Sequence, residues 1–219
     1  GAAFEDIPDS FSATVVVLAV KPQVMDAVLA PYPALVQPDT VFLSIAAGRT
    51  IASFEAVLGA DARIVRAMPN TPAAVGRGIT VLAGNGHVTG AQRDACEALM
   101  TAVGKVAWVA DEGLIDAVTG VSGSGPAYVF HLVEAMAAAG IAAGLAPDLA
   151  MQLARETVAG SGELLAQSAD PAETLRENVT SPGGTTAAAL DILMADDGLT
   201  ELMTRAIMRA TERSRELAG

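Results

Sequence analysis

A change of pattern near Ala110 constrains the fold of this 219-residue chain most strongly. Before it, short apolar runs alternate with helical stretches, and residues 14–20 form the continuous apolar, mostly β-branched run typical of a strand covered on both faces. After it, the segments are helical and no strand is predicted. The pattern predicts an α/β domain with a mostly parallel sheet over residues 1–110, followed by an all-α domain over 111–219.

The individual segments follow from the same periodicities. Strands are predicted at 14–20, 40–46, 62–68, 79–83 and 105–109. Helices are predicted at 23–36, 51–58, 89–103, 111–121, 126–145, 147–168, 171–179, 183–195 and 198–217. In open sheets of this kind, ligands bind beyond the carboxyl ends of the strands, so the loops that follow the first three strands are the first candidates for a site.

A dinucleotide-binding sheet normally begins with a strand, a Gly-x-Gly-x-x-Gly turn and a helix. No such motif precedes the strand at 14–20. We therefore expect either a dinucleotide-binding domain that lacks its first βαβ segment or a chain that binds no dinucleotide. The sequence leaves both open.

Composition narrows the classes of partner. The formal net charge is −12 and Lys and Arg total only 13, which argues against nucleic acid and anionic membrane surfaces. The longest apolar segment, 127–146, contains His131 and Glu134 and is rich in Ala and Gly. We expect it to be a helix packed against protein, with His131 in the core, and not a membrane span. A cytoplasmic protein is the expectation.

The reactive residue types are sparse. Cys96 is the single cysteine, which excludes an internal disulfide and a multi-cysteine metal site, and its amphipathic helical context predicts a small buried residue. The two histidines, His87 and His131, are far apart in sequence, so no metal site is predicted. The absence of a recognisable nucleophile–base arrangement favours a reaction whose chemistry a cofactor carries.

The segment from Asn178 to Ala187 has the composition of an anion site. Ser181 is predicted to cap a helix, with Pro182 at its first position. Gly183 and Gly184 would then expose backbone amides at the positive end of the helix, beside the two threonine hydroxyls that follow. A small carboxylate or a phosphate suits such a site, and the alternative is an ordinary capped helix start.

Three loops at strand ends are expected to line one crevice. Lys21 would place a cation there, or be a solvated strand-end lysine. Ala47 and Gly48 would let a flat ligand approach the backbone. Asn70 lies in a loop that two prolines restrain, which suits amide or ribose recognition, or a simple tight turn. The glycine-rich segment 121–128, which joins the two halves, is interpreted as a hinge or as a ligand contact.

Five sequence blocks resemble the pyrroline-5-carboxylate reductase family, which catalyses the last step of proline biosynthesis. They are AVKPQ at 19–23, AAG at 46–48, MPNTP at 68–72, DAVTGVSGSGPAY at 116–128 and ENVTSPGGTT at 177–186. The last two blocks are specific to the family, and the others gain weight from occurring with them in the family's order. The resemblance extends from about residue 14 to the C-terminus.

This resemblance implies a Rossmann-type domain over residues 1–110, without its first βαβ segment, and a helical substrate-binding and dimerisation domain over 111–219. It implies reduction of 1-pyrroline-5-carboxylate to L-proline by hydride transfer from NADPH or NADH to a protonated cyclic imine. A homodimer or larger homo-oligomer would form through the helical domain. The family's glycine-rich phosphate loop precedes the AVKP strand, and no such motif is found here.

The resemblance also implies roles for individual residues. Cofactor contacts are implied for Ala19, Lys21, Ala47, Asn70 and Asn178. Substrate contacts are implied for Ser181, Gly183, Gly184, Thr185 and Thr186. Thr186 is in addition the candidate catalytic residue, which we expect to hydrogen-bond to the ring nitrogen and not to act as a general acid, because a neutral threonine hydroxyl is too weak an acid.

Two other functions stay open at this point. A related β-hydroxyacid dehydrogenase would require a catalytic lysine in the helical half, whereas lysine occurs only at Lys21 and Lys105. A truncated chain that only dimerises would have no catalytic function. The sequence that precedes Gly1 in the parent gene would discriminate between an enzyme and this last alternative.

Overall fold

A computed structural model describes residues 11–218, so residues 1–10 and 219 of the two predicted domains lie outside the described part. Its strands are β1 (Val15–Leu18), β2 (Val41–Ser44), β3 (Arg63–Met68), β4 (Gly78–Gly84) and β5 (Gly104–Trp108). Its helices are α1 (Met25–Leu29), α2 (Ile51–Leu58), α3 (Gly90–Thr101), α4 (Ile115–Val118), α5 (Gly125–Ala142), α6 (Pro147–Gln167), α7 (Ala172–Asn178), α8 (Thr185–Leu193) and α9 (Leu199–Ala218). The predicted strands and most predicted helices are confirmed to within a few residues.

The five strands form one sheet in the order β1-β2-β3-β4-β5. The pairs β1–β2, β2–β3 and β4–β5 are parallel, whereas β3 and β4 are antiparallel. Only nine residues, 69–77, connect β3 to β4. A parallel crossover needs about a dozen residues or more, so this short connection forces β4 to run back along β3. The prediction of a mostly parallel sheet is confirmed.

Helices cover both faces of the sheet. On one face, residues of α1 and α2 such as Met25 and Phe54 pack with Phe42 of β2 and Ile64 of β3. On the other, Cys96 of α3 packs in a cluster with residues of β2, β3 and β4 and is fully buried, as predicted. This two-sided cover explains why β2 is buried along its whole length and begins with the apolar run Val41–Leu43.

Two predicted helices are shorter than expected. The helix predicted at 23–36 is reduced to the five residues of α1, between 3₁₀ turns at Pro22–Val24 and Tyr32–Leu35. Pro31 and Pro33 lack the amide hydrogen that an α-helix needs at interior positions, which accounts for the interruption. The helix predicted at 111–121 is divided into a 3₁₀ turn, the four residues of α4 and a π turn at Thr119–Gly123.

The chain separates into two compact units. In the described residues, one unit comprises 11–124 together with 208–218, and the other comprises 125–207. The boundary predicted after residue 110 differs from this division because the 112–124 segment packs on the sheet. Its Ile115 is fully buried in a cluster with Met68 and Ala83. The α9 helix contributes residues to both units, which the sequence pattern did not indicate.

The helical unit leaves much apolar surface uncovered. Gly140 allows α5 and α6 to approach closely, because a Cβ there would lie 3.3 Å from the Cβ of Ala150. Phe130 is 63% exposed and Ile192 is 75% exposed. By length and composition alone, the stretch Glu112–Ala142 could cross a membrane.

The prediction that His131 is buried is wrong: it is exposed, with its Nδ1 3.0 Å from Glu134 Oε2.

Candidate functional site

The loops at the carboxyl ends of β1, β2 and β3 lie at one edge of the sheet and line two clefts. Pro22, Ala47 and Gly48 line a cleft of about 690 Å³, together with residues near the end of α9. Ala47 also lines a neighbouring cleft of about 480 Å³ with Asn70 and Thr119. The structure therefore brings together two of the predicted cofactor-binding residues, Ala47 and Asn70.

Asn70 is held by its own hydrogen bond. Its Oδ1 accepts a hydrogen bond from the amide of Ile79 at 3.0 Å, which ties the loop after β3 to the start of β4. Among residues 11–218, the Nδ2 group donates to no protein acceptor, so it can donate toward a ligand. The side chain thus combines a fixed orientation with an available donor.

Gly48 meets both a conformational and a steric requirement. Its φ of 71° lies in the left-handed region, and a Cβ there would lie 3.1 Å from the carbonyl oxygen of Leu217. Any other residue would strain the backbone and press on the end of α9. This glycine keeps the loop after β2 open beside the neighbouring Ala47.

Ala19 and Lys21 lie at the same edge, after β1. Both are exposed, and neither is among the residues that line the two clefts. Lys21 immediately precedes the short 3₁₀ turn that starts at Pro22. The cofactor contacts that the resemblance implies for Ala19 and Lys21 therefore stay predictions.

The segment before α8 differs from its predicted geometry. Ser181 was predicted as the helix cap, but α8 begins at Thr185 and Gly184 occupies the cap position. The amide of Gly184 donates to the carbonyl of Ser181 at 3.0 Å, and Gly183 has a φ of 66°. With Pro182 and Gly183 at the two central positions, residues 181–184 form a type II turn. The prediction of Ser181 as the cap is wrong.

The turn leaves a helix N-terminus free for a ligand. The Gly184 amide is occupied by Ser181, and the Gly184 carbonyl accepts the first helical bond, from Ala188 at 3.2 Å. By helix geometry, the amides of Thr185, Thr186 and Ala187 have no intrahelical acceptor. No side chain caps this helix. Its first turn therefore offers converging N–H donors and two threonine hydroxyls at the positive end of the helix.

The position of Gly184 also has no room for a side chain. A Cβ there would lie 3.1 Å from the Ser181 carbonyl oxygen and would contact its Oγ. Asn178, the remaining predicted cofactor residue, is exposed at the end of α7. The residues predicted to bind substrate are thus continuous in the helical unit, while Ala47 and Asn70 belong to the sheet unit.

Sequence reasoning missed the polar residues near the end of α9. Arg213 and Ser214 line the larger cleft, and Ser214 Oγ donates to Asp116 Oδ1 at 2.6 Å. Arg213 and Arg209 hold the pKa of Glu216 below its ordinary value by hydrogen bonding. The amphipathic face of α9 indicated packing but carried no signal that its end would border a cleft.

A second missed cluster surrounds Arg66. This arginine is 2% exposed, and its Nη1 donates to Glu112 Oε1 at 3.0 Å. The same oxygen accepts the amide of Ile51 at 2.8 Å. The available signal in the sequence was Arg66 itself, a charged residue between the apolar pairs Ile64-Val65 and Ala67-Met68 of a predicted buried strand. Residues 11–218 contain no group of three or more His, Cys, Asp and Glu side chains that could hold a metal ion.

Comparison with known proteins connects this geometry to one family. A family model described as pyrroline-5-carboxylate reductase dimerisation matches residues 112–217. The pyrroline-5-carboxylate reductase of Pseudomonas aeruginosa is 46% identical over 207 residues, which cover 94% of this chain and 75% of that protein. The Synechocystis enzyme of the same name is 44% identical, with 93% and 74% covered.

Solved structures agree with the sequence comparisons. A pyrroline-5-carboxylate reductase from Coxiella burnetii superimposes with a TM-score of 0.89 at 39% identity, over 94% of this chain and 77% of that one. The Plasmodium falciparum pyrroline carboxylate reductase, solved with NADP bound, gives 0.78 at 31% identity, over 94% and 78%. Both similarities extend over the sheet unit and the helical unit.

Proposed function

From its membership of the pyrroline-5-carboxylate reductase family, to which this chain belongs, we infer that it reduces 1-pyrroline-5-carboxylate to L-proline. NADPH or NADH is the cofactor and supplies the hydride. This function is the last step of proline biosynthesis. The single observation that carries the site assignment is the type II turn at 181–184, which leads into the uncapped start of α8.

The residues of the sheet unit fit the nicotinamide end of such a cofactor. The small residues Ala47, Ala73 and Gly123 line the cleft beside Asn70 and leave room for a flat ring. The Nδ2 of Asn70 would donate to a carbonyl oxygen of the ligand, since its Oδ1 is bound to Ile79. Ala19 and Lys21 would contact the cofactor from the end of β1. Asn178 would contribute from the helical unit.

The substrate carboxylate would bind at the start of α8. Free amides and the helix dipole favour an anion there, and the net charge of −12 makes such local binding necessary. Ser181, Gly183 and Gly184 would shape the turn around the carboxylate. Thr185 and Thr186 would add hydroxyl donors.

Thr186 would orient the ring nitrogen by a hydrogen bond. The cyclic imine accepts a hydride readily once it is protonated, so the residues need only bind it, orient it and exclude water. A threonine hydroxyl is too weak an acid to supply that proton. The proton would arrive with the imine or come from water.

The protein carries a dimerisation domain, and self-association follows from it. We propose a homodimer, or a larger homo-oligomer, formed through the helical unit, whose exposed apolar side chains a second copy would cover. Burial against a second copy would also explain why α5 is apolar, without placing this helix in a membrane. The negative net charge argues against nucleic acid as a partner, and we propose a cytoplasmic location.

The site assignment is tested with a matched pair of ligands. L-Proline carries the carboxylate, whereas L-prolinamide has the same ring without the negative charge. We expect L-proline, the product, to inhibit the forward reaction competitively with the imine, and L-prolinamide to bind at least about tenfold more weakly, a difference of about 1.4 kcal/mol. Equal binding of the two ligands would show that no carboxylate site operates.

The Gly183→Ala variant tests whether the difference in binding between the two ligands arises at the 181–184 turn. Gly183→Ala places a side chain at a φ of 66° and strains the turn. We expect it to weaken L-proline binding and to leave L-prolinamide binding unchanged. Gly86→Ala, at an exposed glycine of the sheet unit with open space around it, is the matched control. A bound carboxylate found away from residues 181–186 would contradict the assignment.

A further inference from the structure

One carboxylate oxygen joins three segments of the sheet unit. Glu112 Oε1 accepts from the Nη1 of Arg66 at 3.0 Å and from the amide of Ile51 at 2.8 Å. Arg66 belongs to β3, Ile51 is the first residue of α2, and Glu112 begins the 3₁₀ turn before α4. The carboxylate therefore fixes the separation between β3, the start of α2 and the segment that follows β5.

Each joined segment continues directly into a wall of the smaller cleft. Two residues beyond Arg66, β3 ends at Met68, and the loop to Asn70 lines the cleft. Ala47 lies in the loop that precedes α2. Thr119 and Ser124 follow Glu112 in the same continuous segment. Glu112 itself lines neither cleft, so any influence it has on a ligand passes through these walls.

Stability alone is a poor explanation for the ion pair between Arg66 and Glu112. The Arg66 side chain is 3% exposed, and its Nε and Nη2 are buried without a hydrogen-bond partner among the described residues. Buried donors without partners oppose folding, and well-packed apolar side chains often replace a buried ion pair with no loss of stability. Stability therefore does not explain why an arginine and a glutamate occupy these positions.

We propose that Glu112 is a positioning residue for cofactor binding, which holds the loops bearing Ala47 and Asn70 and the Thr119–Ser124 segment at the spacing that the nicotinamide end requires. This inference rests on the proposed function of the smaller cleft. This role requires an acceptor oxygen at the place of Glu112 Oε1, because the two hydrogen bonds to that oxygen set the spacing. The negative charge serves to keep Arg66 paired.

The test compares two variants in the full enzyme. Glu112→Gln keeps an acceptor oxygen at the same place. The double variant Arg66→Met/Glu112→Leu removes the charges together and fills their volume, so that no buried charge is left unpaired. NADPH affinity, the KM for NADPH, kcat and the melting temperature are measured for both. Glu97→Leu, which removes an acceptor from Trp108 on the α3 side of the sheet, is the matched control.

We expect Glu112→Gln to bind NADPH within about threefold of the wild type. The double variant should melt at or above the wild-type temperature, yet show a KM for NADPH raised about tenfold, since a misplacement of about 1 Å caused by a distant mutation can cost about a hundredfold. Its kcat at saturating NADPH should stay within about twofold of the wild type. Glu97→Leu should leave the KM for NADPH unchanged.

Two results would overturn the proposal. A double variant that folds and binds NADPH like the wild type would show that the junction does not position the cleft. A Glu112→Gln variant as weak as the double variant would show that charge, and not acceptor geometry, is what matters. Both results require that the wild type binds NADPH. Failure of the wild type to do so would instead refute the proposed function.

Discussion

Thr186 is the residue on which the proposed chemistry depends most directly. It lies in the first turn of α8, where its hydroxyl is not needed to cap the helix. We expect Thr186→Ala to lower kcat/KM for the imine at least about tenfold, a loss of about 1.4 kcal/mol of transition-state stabilisation, while the melting temperature changes little. Steady-state kinetics and thermal unfolding measure the two effects.

Thr101→Ala provides the control for that substitution. Thr101 is an exposed threonine of α3, whose Oγ1 donates to the Glu97 carbonyl at 2.8 Å. It resembles Thr186 in chemistry but lies at the end of a helix that lines neither cleft. Unchanged imine turnover in Thr186→Ala would remove Thr186 from the mechanism.

Cys96 gives a residue-scale prediction with a defined pH range. Burial raises the pKa of its thiol from 9.0 to about 11. A raised pKa means that folding favours the neutral thiol, so this contribution is complete below pH 9 and is lost as the pH rises through about 11. We expect the unfolding free energy of the wild type to fall more steeply between pH 9 and 11 than that of Cys96→Ala. Urea denaturation at a series of pH values measures both, and parallel curves would contradict the prediction.

The residue roles were only partly predictable. The proline-restrained loop of Asn70 was visible in the sequence, and its cleft position is confirmed by the structure. Ser181 was misplaced because two local rules compete at Ser-Pro-Gly-Gly. Proline favours the first position of a helix, but proline followed by glycine also favours a type II turn. The hydrogen bond from the Gly184 amide to the Ser181 carbonyl shows that the turn forms at these residues.

At the scale of elements, α3 offers the clearest test of local structure. Thr89 Oγ1 accepts from the amide of Gln92 at 3.4 Å, and the Gln92 side chain accepts from the Thr89 amide at 3.0 Å. These reciprocal bonds form a capping box. Thr89→Ala should lower the unfolding free energy by about 1 kcal/mol, as measured by urea denaturation. NADPH affinity should not change, because α3 lines neither cleft.

The elements that the sequence predicted best have strong periodicity and full burial. Helices cover both faces of β2 and β3, so most residues of these strands are apolar and buried. The 112–124 segment was predicted poorly, since its α4 and π turn depend on tertiary packing of Ile115 and on Glu112. Periodicity within the segment carries no information about those partners.

At the scale of the whole molecule, exposed apolar residues of the helical unit predict self-association. Phe130 on α5 is 63% exposed, and a charge there would have to be buried if a second copy covers it. We expect Phe130→Glu to shift the protein from dimer or larger oligomer to monomer, as measured by analytical ultracentrifugation. Burying an unpaired charge costs several kcal/mol, which is sufficient to dissociate many interfaces.

Leu99→Glu is the control for that change. Leu99 is an exposed leucine of similar size on α3 of the sheet unit, 44% exposed. It should leave the oligomeric state unchanged. A Phe130→Glu variant that sediments like the wild type would place the interface elsewhere.

The last turns of α9 have a consequence for the order in which the protein is made. Residues 208–218 belong to the same unit as the sheet, although more than eighty residues of the helical unit separate them from Ser124 in the chain. Arg213 and Ser214 form part of the larger cleft. During synthesis the strands leave the ribosome long before this wall exists. The sheet can form early, but the larger cleft at its edge is completed only when the last residues of α9 emerge.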